Sequence, residues 1–149
     1  MLLIPQILLF GITAYQDFKD RAISWYLPLL IFSVGLIGDF VKGSVLWKDY
    51  IASLCFVTLQ ITLLYGYLAI KKKAIKINLT GDFLGWGDLL FFVAVIPYFT
   101  FKEYAVLLIT GMFLSLLAQK VIELFYRSDS IPLAGWLSIF YGIYMLITL

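Results

Sequence analysis

The chain lacks histidine altogether and has a single cysteine, Cys55, among its 149 residues. The absence of histidine excludes serine or cysteine catalysis through a histidine base, and it excludes histidine-ligated metal sites. One cysteine can form neither an intrachain disulfide nor a cysteine-based metal site. We therefore expect no metal ion and no cofactor, so any chemistry must be carried by other side chains.

Charged residues are also scarce, at 13% of the chain, whereas 63% of the residues are hydrophobic. Soluble domains are about half apolar and about a quarter charged. A short soluble chain of this composition would expose a large apolar surface to water and would aggregate. The net charge of +2 gives no basis for a nucleic-acid partner. The composition predicts a single integral membrane domain over residues 1–149, with the lipid bilayer as its solvent.

Six apolar segments follow one another and predict an all-α fold, a polytopic bundle of about six transmembrane helices. The segments cover residues 2–16, 26–41, 51–70, 86–101, 104–125 and 131–148. They do not alternate apolar and polar residues as transmembrane β-strands do. Pro97 lies inside the fourth segment and is expected to kink it or end it early. The first segment lacks the basic region of a signal peptide, so we expect it to be retained as a helix.

Most of the 11 basic residues lie in or beside the first, third and fifth connections, including the cluster Lys71–Lys76. An excess of basic residues marks the cytoplasmic side of a membrane protein. We therefore expect these three connections in the cytoplasm and both chain ends outside, in the plasma (inner) membrane. For the cluster itself, binding of anionic lipid head groups is the functional alternative.

Acidic side chains are the strongest remaining candidates for chemistry, and two of the nine stand out. Asp17 follows the first segment, and Asp88 lies at the opening of the fourth. In a six-helix bundle the end of helix one and the start of helix four lie on the same, cytoplasmic face, so the two carboxyls are expected to converge. Such a pair can share one proton, with one member acting as base toward a water and the other as acid toward a carbonyl. The sequence does not assign the two roles, because coupled carboxyls titrate as a pair.

Two glycines flank this second carboxyl in the run Gly85-Trp86-Gly87-Asp88. Gly85 and Gly87 remove two side chains next to Asp88, which lets a substrate backbone or a neighbouring helix approach closely. We therefore assign Gly85 and Gly87 to substrate binding. Close helix packing is the simpler alternative for both.

These stretches together resemble the type IV prepilin peptidases. Gly85–Asp88 is similar to the GxGD motif of intramembrane aspartic peptidases, and Asp17–Ile23 is similar to the stretch with the family's first catalytic aspartate. Ile131–Leu137 resembles the Ile-Pro-rich opening of the family's last helix. The resemblance implies that Asp17 and Asp88 are the catalytic pair of an aspartic peptidase. Its substrate would be a pilin-like precursor protein, cut at the cytoplasmic membrane boundary to release a short basic leader.

The chain departs from the family pattern in three ways. Ser24-Trp25 stands where the family usually has Pro-Asn, and Leu89-Leu90 follows Asp88 where Val-Lys is common. The large amino-terminal extension and the paired cysteines of longer members are missing, so methylation of the product is not implied. The short members found with tight-adherence pili are the nearer match.

Two other functions stay open on the sequence alone. The first is a non-catalytic membrane assembly protein on the same fold, which the missing lysine after Asp88 supports. The second is a small transporter or channel with Asp39 and Asp88 as ion ligands. Carboxyls near the connections do not make the midplane site that transporters use, which weakens the second function.

Overall fold

The structure is a computed structural model that describes residues 3–43, 47–72, 85–123 and 132–148. These residues form six α-helices and one 3₁₀ turn, and this part of the chain contains no β-strand. The order of the six helices matches the six apolar segments, so the expected all-helical class is confirmed. The prediction for the cluster Lys71–Lys76 concerns side chains outside the described part of the chain. The helices are α1 (Leu3–Asp20), α2 (Tyr26–Lys42), α3 (Trp47–Lys72), α4 (Trp86–Ala94), α5 (Phe101–Glu123) and α6 (Leu133–Ile147).

The first helix extends four residues beyond its apolar segment. The polar stretch from Gln16 to Asp20 contains neither glycine nor proline, so helical hydrogen bonding continues through it. The helix ends where Arg21 adopts a left-handed conformation with φ 53°, and the Arg21 N–H donates to the carbonyl oxygen of Asp17 at 3.1 Å. A left-handed residue with a side chain costs about 1–2 kcal/mol. Contacts around the connection must therefore hold Arg21 in place.

The side chain of Gln16 provides such a contact. Its Nε2 donates to the hydroxyl of Ser24 at 2.6 Å, and its Oε1 accepts the backbone N–H of Ser24 at 3.2 Å. The Gln16 amide thus bonds both the hydroxyl and the backbone N–H of Ser24, eight positions further along the chain. This pairing ties the connection between α1 and α2 back onto the end of α1.

The fourth helix is short because of Pro97. Helix α4 ends at Ala94, and Pro97 lies in the 3₁₀ turn Ile96–Tyr98. Proline has no N–H to continue the helical ladder and its ring clashes with the preceding turn, so the expected early end of this segment is confirmed. The turn packs on α2, where the Tyr98 hydroxyl donates to the Ile31 carbonyl at 2.6 Å. A Cβ at Gly35 would lie 2.7 Å from Tyr98 Cε2, so only glycine fits this contact.

The core is an aromatic cluster around Tyr141 of α6. Its ring centroid lies 5.4 Å from that of Phe99, 6.1 Å from Phe91 and 6.4 Å from Phe10. All four side chains are buried. Such ring pairs contribute about 0.5–1.5 kcal/mol beyond the burial of their area. The cluster joins α1, α4 and α6, and this packing brings the end of α1 and the starts of α4 and α6 to one end of the bundle.

Helices α3 and α5 are long and apolar enough to cross a membrane, yet they are mostly exposed. Only 11% of the apolar window in Trp47–Tyr67 is buried, and 28% of that in Phe101–Val121. The core helix of a soluble protein would be mostly buried instead. Outward-facing side chains include Leu63, which is 64% exposed, and Phe113, which is 62% exposed. The bundle therefore presents an apolar surface that water solvates poorly.

Candidate active site

The structure brings together the two carboxyls that the sequence singled out. Asp17 lies in the last turn of α1, and Asp88 is the third residue of α4. Both line one cavity of about 220 Å³, together with Arg21–Ile23 and Gly85–Gly87. The side chain of Asp17 is only 5% exposed, and Asp88 is partly buried. Two carboxyls 71 positions apart in sequence therefore share one small cavity at one end of the bundle.

The start of α6 donates a backbone hydrogen bond to each carboxyl. The Ala134 N–H donates to Asp88 Oδ1 at 3.1 Å, and the Gly135 N–H donates to Asp17 Oδ2 at 2.6 Å. The first N–H groups of a helix have no partner within it, and Pro132 at the N-cap makes no capping hydrogen bond. Carboxyls from two other helices accept hydrogen bonds from these N–H groups instead. The positive end of the α6 dipole favours negative charge at this position. Adjacent N–H groups on one rigid helix therefore fix the spacing of the pair.

Asp88 is held a second time by its own helix. Its Oδ2 accepts the N–H of Gly85 at 3.2 Å. An acidic residue at the third helical position commonly reaches back to the N-cap in this way. Asp88 is thus bonded through both oxygens, and these two hydrogen bonds fix the orientation of its side chain.

Asp17 lies just past the apolar segment 2–16, and its protonation differs from that of an exposed aspartate. Burial raises the pKa of Asp17 from 3.8 to about 6, because loss of hydration disfavours the charged form. The Gly135 hydrogen bond and the charge of Arg21 oppose this shift, whereas the charge of Asp88 adds to it. The carboxyl therefore gains and loses its proton much nearer to neutral pH than an exposed aspartate does.

The two glycines before Asp88 differ in their surroundings. A Cβ at Gly87 would lie 2.9 Å from Ile23 Cβ and 3.4 Å from the Ile23 backbone nitrogen. The missing side chain at Gly87 therefore lets the start of α4 pack on the connection between α1 and α2. Gly85 is exposed at the cavity, and the nearest described atoms to a Cβ there would be those of the Asp88 carboxyl, at 3.2 Å, and the nitrogen of Gly87, at 3.9 Å. Substrate binding by Gly85 and Gly87 stays a prediction. The alternative, close packing, is observed at Gly87, which lies against Ile23.

Gly135 is a site residue that the sequence did not single out for a role. A Cβ at this position would lie 3.1 Å from Asp17 Oδ2, 3.3 Å from Asp17 Cβ and 3.2 Å from Phe18 Cε2. Glycine therefore allows α6 to approach α1 closely enough for the short hydrogen bond to Asp17. The sequence signal was a glycine three residues after Pro132 at a helix start, where free N–H groups are expected.

Replacing Gly135 by alanine is expected to lower activity while the fold persists. The added methyl group must push Asp17 or Phe18 away by a few tenths of an ångström, which lengthens the bond that positions the carboxyl. We expect a loss of about tenfold or more in turnover, since small misplacements of reacting groups are costly. The matched control is Gly142→Ala on the same helix, where a Cβ meets nothing within 4 Å. Equal activity of the two variants in a cleavage assay would contradict a positioning role for Gly135.

The Asp17→Asn variant is expected to be more stable than the wild type at high pH. Folding raises the pKa of Asp17 from 3.8 to about 6. The contribution of this carboxyl to the free energy of unfolding is therefore fully present below pH 4, and it is lost as the pH rises through 6. Asparagine has an oxygen that can still accept the Gly135 N–H and carries no charge. Since the site opens to solvent, screening reduces the effect to about 1 kcal/mol, or about 2–4 °C in the unfolding temperature.

Thermal unfolding in detergent at pH 4 and pH 8 measures this difference. The variant should gain stability over the wild type at pH 8 and lose that advantage at pH 4. Asp20→Asn is the control, because Asp20 lies in the same helical turn and is exposed. A wild type as stable as Asp17→Asn at pH 8 would show that the buried charge at Asp17 costs nothing.

The opposite end of the bundle has a separate group of polar side chains. Asp39 accepts a hydrogen bond from the Tyr50 hydroxyl at 2.5 Å and lines a cavity of about 260 Å³ with Asp49 and Glu103. Asp88 is not among the residues of this cavity. Asp39 and Asp88 therefore lie in different cavities and do not form one ion-binding site.

Comparison with known proteins adds no relative. No family model, no curated protein and no solved structure matches the chain. Within the described ranges, no group of three or more histidine, cysteine, aspartate or glutamate side chains is placed to hold a metal ion. A functional assignment therefore depends on the carboxyl pair and its surroundings.

Proposed function

We propose that this protein is an integral membrane aspartic endopeptidase that removes the short basic leader from type IV pilin-like precursors. The observation that carries the proposal is the meeting of Asp17 and Asp88 on adjacent N–H groups of α6. Two carboxyls held side by side in a small cavity are the groups that acid–base hydrolysis of a peptide bond needs. No histidine, cofactor or metal ion is required for this chemistry.

Placement in the membrane is supported by the surface and the charges of the chain. The exposed apolar faces of α3 and α5 match a lipid environment. At the end of the bundle with the carboxyl pair, Trp25 and Trp86 are 69% and 68% exposed. Exposed tryptophans favour the boundary between lipid and water. With the basic connections on the cytoplasmic side, the protein is a multi-pass protein of the plasma (inner) membrane whose active site faces the cytoplasm.

The chemistry follows from one proton shared by the pair. The charged carboxyl draws a proton from a water molecule, whose oxygen attacks the scissile carbonyl carbon. The protonated carboxyl gives its proton to the carbonyl oxygen, which forms a neutral gem-diol. Collapse of the gem-diol breaks the bond to nitrogen and returns the pair to its starting state. Backbone N–H groups of Gly85, Ala134 and Gly135 keep both carboxyls in place throughout.

The choice of substrate follows from the resemblance to prepilin peptidases. One departure from that family is the missing lysine after Asp88. Leu90 stands where the family commonly has lysine and is 39% exposed. Arg21 lines the cavity of the pair, so a cationic side chain is present there without a lysine after Asp88. The non-catalytic assembly protein is the alternative that the missing lysine favours.

The experiment is co-expression of the full chain with a pilin-like precursor that has a short basic leader before its apolar helix. We expect the precursor to shift to a smaller, mature form on a gel, and the protein to be found in the membrane fraction. A precursor that stays uncut with abundant, membrane-inserted protein would favour the assembly function.

A further inference from the structure

The two carboxyls lie at opposite ends of their own helices. Asp88 is in the first turn of α4, where the helix dipole is positive and favours a negative charge. Asp17 is in the last turn of α1, where the dipole is negative and favours the neutral form. Both also touch the start of α6, so that helix does not distinguish them. The dipoles of the two parent helices therefore stabilise charge on Asp88 and disfavour it on Asp17.

The hydrogen bonds to the two carboxyls also favour the charge on Asp88 over the charge on Asp17. Asp88 accepts two backbone N–H groups, one on each oxygen, from Gly85 and Ala134. Among the described residues, Asp17 accepts one backbone N–H, from Gly135. Each N–H donor stabilises the charged form of a carboxyl over the neutral form. The donors therefore also favour the charge on Asp88.

Burial raises the pKa of Asp88 as well as that of Asp17, so burial favours charge on neither carboxyl. One neighbour, Arg21, favours charge on Asp17. Arg21 lies one turn after Asp17 and lines the same cavity. Arg21 is exposed, so water screens its field. The other charged side chains on the last turn of α1, Lys19 and Asp20, are also exposed. Of the elements packed against α1, helix α4 contributes Asp88 to the cavity. The first residues of α6, from Pro132 to Ser138, contain no titratable side chain.

We propose that the shared proton resides on Asp17 and that Asp88 is the charged member of the pair. This inference depends on the proposed function for its chemical meaning. Asp88 takes the proton of the attacking water, while Asp17 donates its proton to the carbonyl oxygen as the new C–O bond forms. In the second step Asp88 gives its proton to the leaving nitrogen as the C–N bond breaks. Asp17 recovers a proton from one hydroxyl of the gem-diol, so the protons balance over the cycle.

The test is infrared difference spectroscopy of the full chain in detergent, following the C=O band of a protonated carboxyl as the pH is raised. Wild type, Asp17→Asn and Asp88→Asn are compared. We expect a wild-type band that disappears near pH 6, in line with the raised pKa of Asp17. Asp17→Asn should lack this band. Asp88→Asn should keep it with a lower midpoint, because the charge of Asp88 no longer helps to hold the proton.

Arg21→Gln leaves both carboxyls in place and provides a second measurement. Its midpoint should move to higher pH, because the charge of Arg21 stabilises the charged form of Asp17, and Arg21→Lys should restore the wild-type midpoint. Retention of the band in Asp17→Asn, loss in both aspartate variants, or an unchanged midpoint in Arg21→Gln would each overturn the inference. These spectra need no substrate, so a wild type with the expected band but no cleavage would refute the proposed function alone.

Discussion

Replacing either Asp17 or Asp88 by asparagine is expected to abolish cleavage of the precursor and to leave the protein in the membrane. Each variant loses a proton donor or acceptor that acid–base hydrolysis requires, which costs about a hundredfold to ten-thousandfold in rate. Asparagine has nearly the shape of aspartate and keeps an oxygen that can accept the N–H of Ala134 or Gly135. The fold should therefore survive, and the fraction of precursor processed is the measurement.

A double variant sharpens this expectation. Because the two carboxyls act as one unit, Asp17→Asn combined with Asp88→Asn should be no less active than either single variant. Asp20→Asn is the matched control, since Asp20 lies on the same turn of α1 and is exposed. It should process the precursor at the wild-type rate. Full activity of Asp17→Asn would remove the carboxyl pair from the mechanism and make Asp20 the next candidate.

That the two carboxyls lie at the same end of the bundle was predictable, because this depends on helix order alone. Six helices that alternate in direction must bring the end of the first and the start of the fourth to the same side. Asp17 and Asp88 mark those two ends in the sequence. The early end of the fourth helix was predictable for a similar reason, since Pro97 removes a backbone donor wherever the helix lies.

The backbone donors of the site were not predictable from the sequence. The hydrogen bond between Gly135 and Asp17 joins residues 118 positions apart, and a backbone N–H is the same in every residue except proline. Only the packing of α6 against α1 decides which N–H groups meet the carboxyls. The packing partner of Gly87 was hidden in the same way, because its contact with Ile23 depends on how a connection folds back over α4.

The end of α1 shows a third kind of limit. Hydrophobicity placed the end of the segment at residue 16, but the helix continues through polar residues to Asp20. An apolar run measures how far a segment avoids water, whereas a helix ends where its backbone hydrogen bonds end. This difference of one turn puts Asp17 inside the helix, with its carboxyl directed at the start of α6.

The location of the site at the end of the bundle predicts where a substrate helix can be cut. The cavity is lined by the last turn of α1, the connection residues Arg21–Ile23 and the first turn of α4. In the proposed membrane placement, exposed Trp25 and Trp86 favour a position of this end at the boundary between lipid and water. A scissile carbonyl must be released from its helical hydrogen bond before water can attack it. At the boundary, water and the connection residues can receive the freed backbone groups.

Moving the cleavage junction one helical turn deeper, by about four residues, is therefore expected to abolish processing. Unwinding that turn inside the bilayer leaves several N–H and C=O groups without partners, at several kcal/mol each. A barrier raised by even ~5 kcal/mol lowers the rate by more than a thousandfold. The control adds four residues to the cytoplasmic side of the leader, where they remain in water, and should leave processing nearly unchanged. The processed fraction of each precursor is read on a gel, and efficient cleavage at the deeper junction would place the working site inside the membrane instead of at its cytoplasmic boundary.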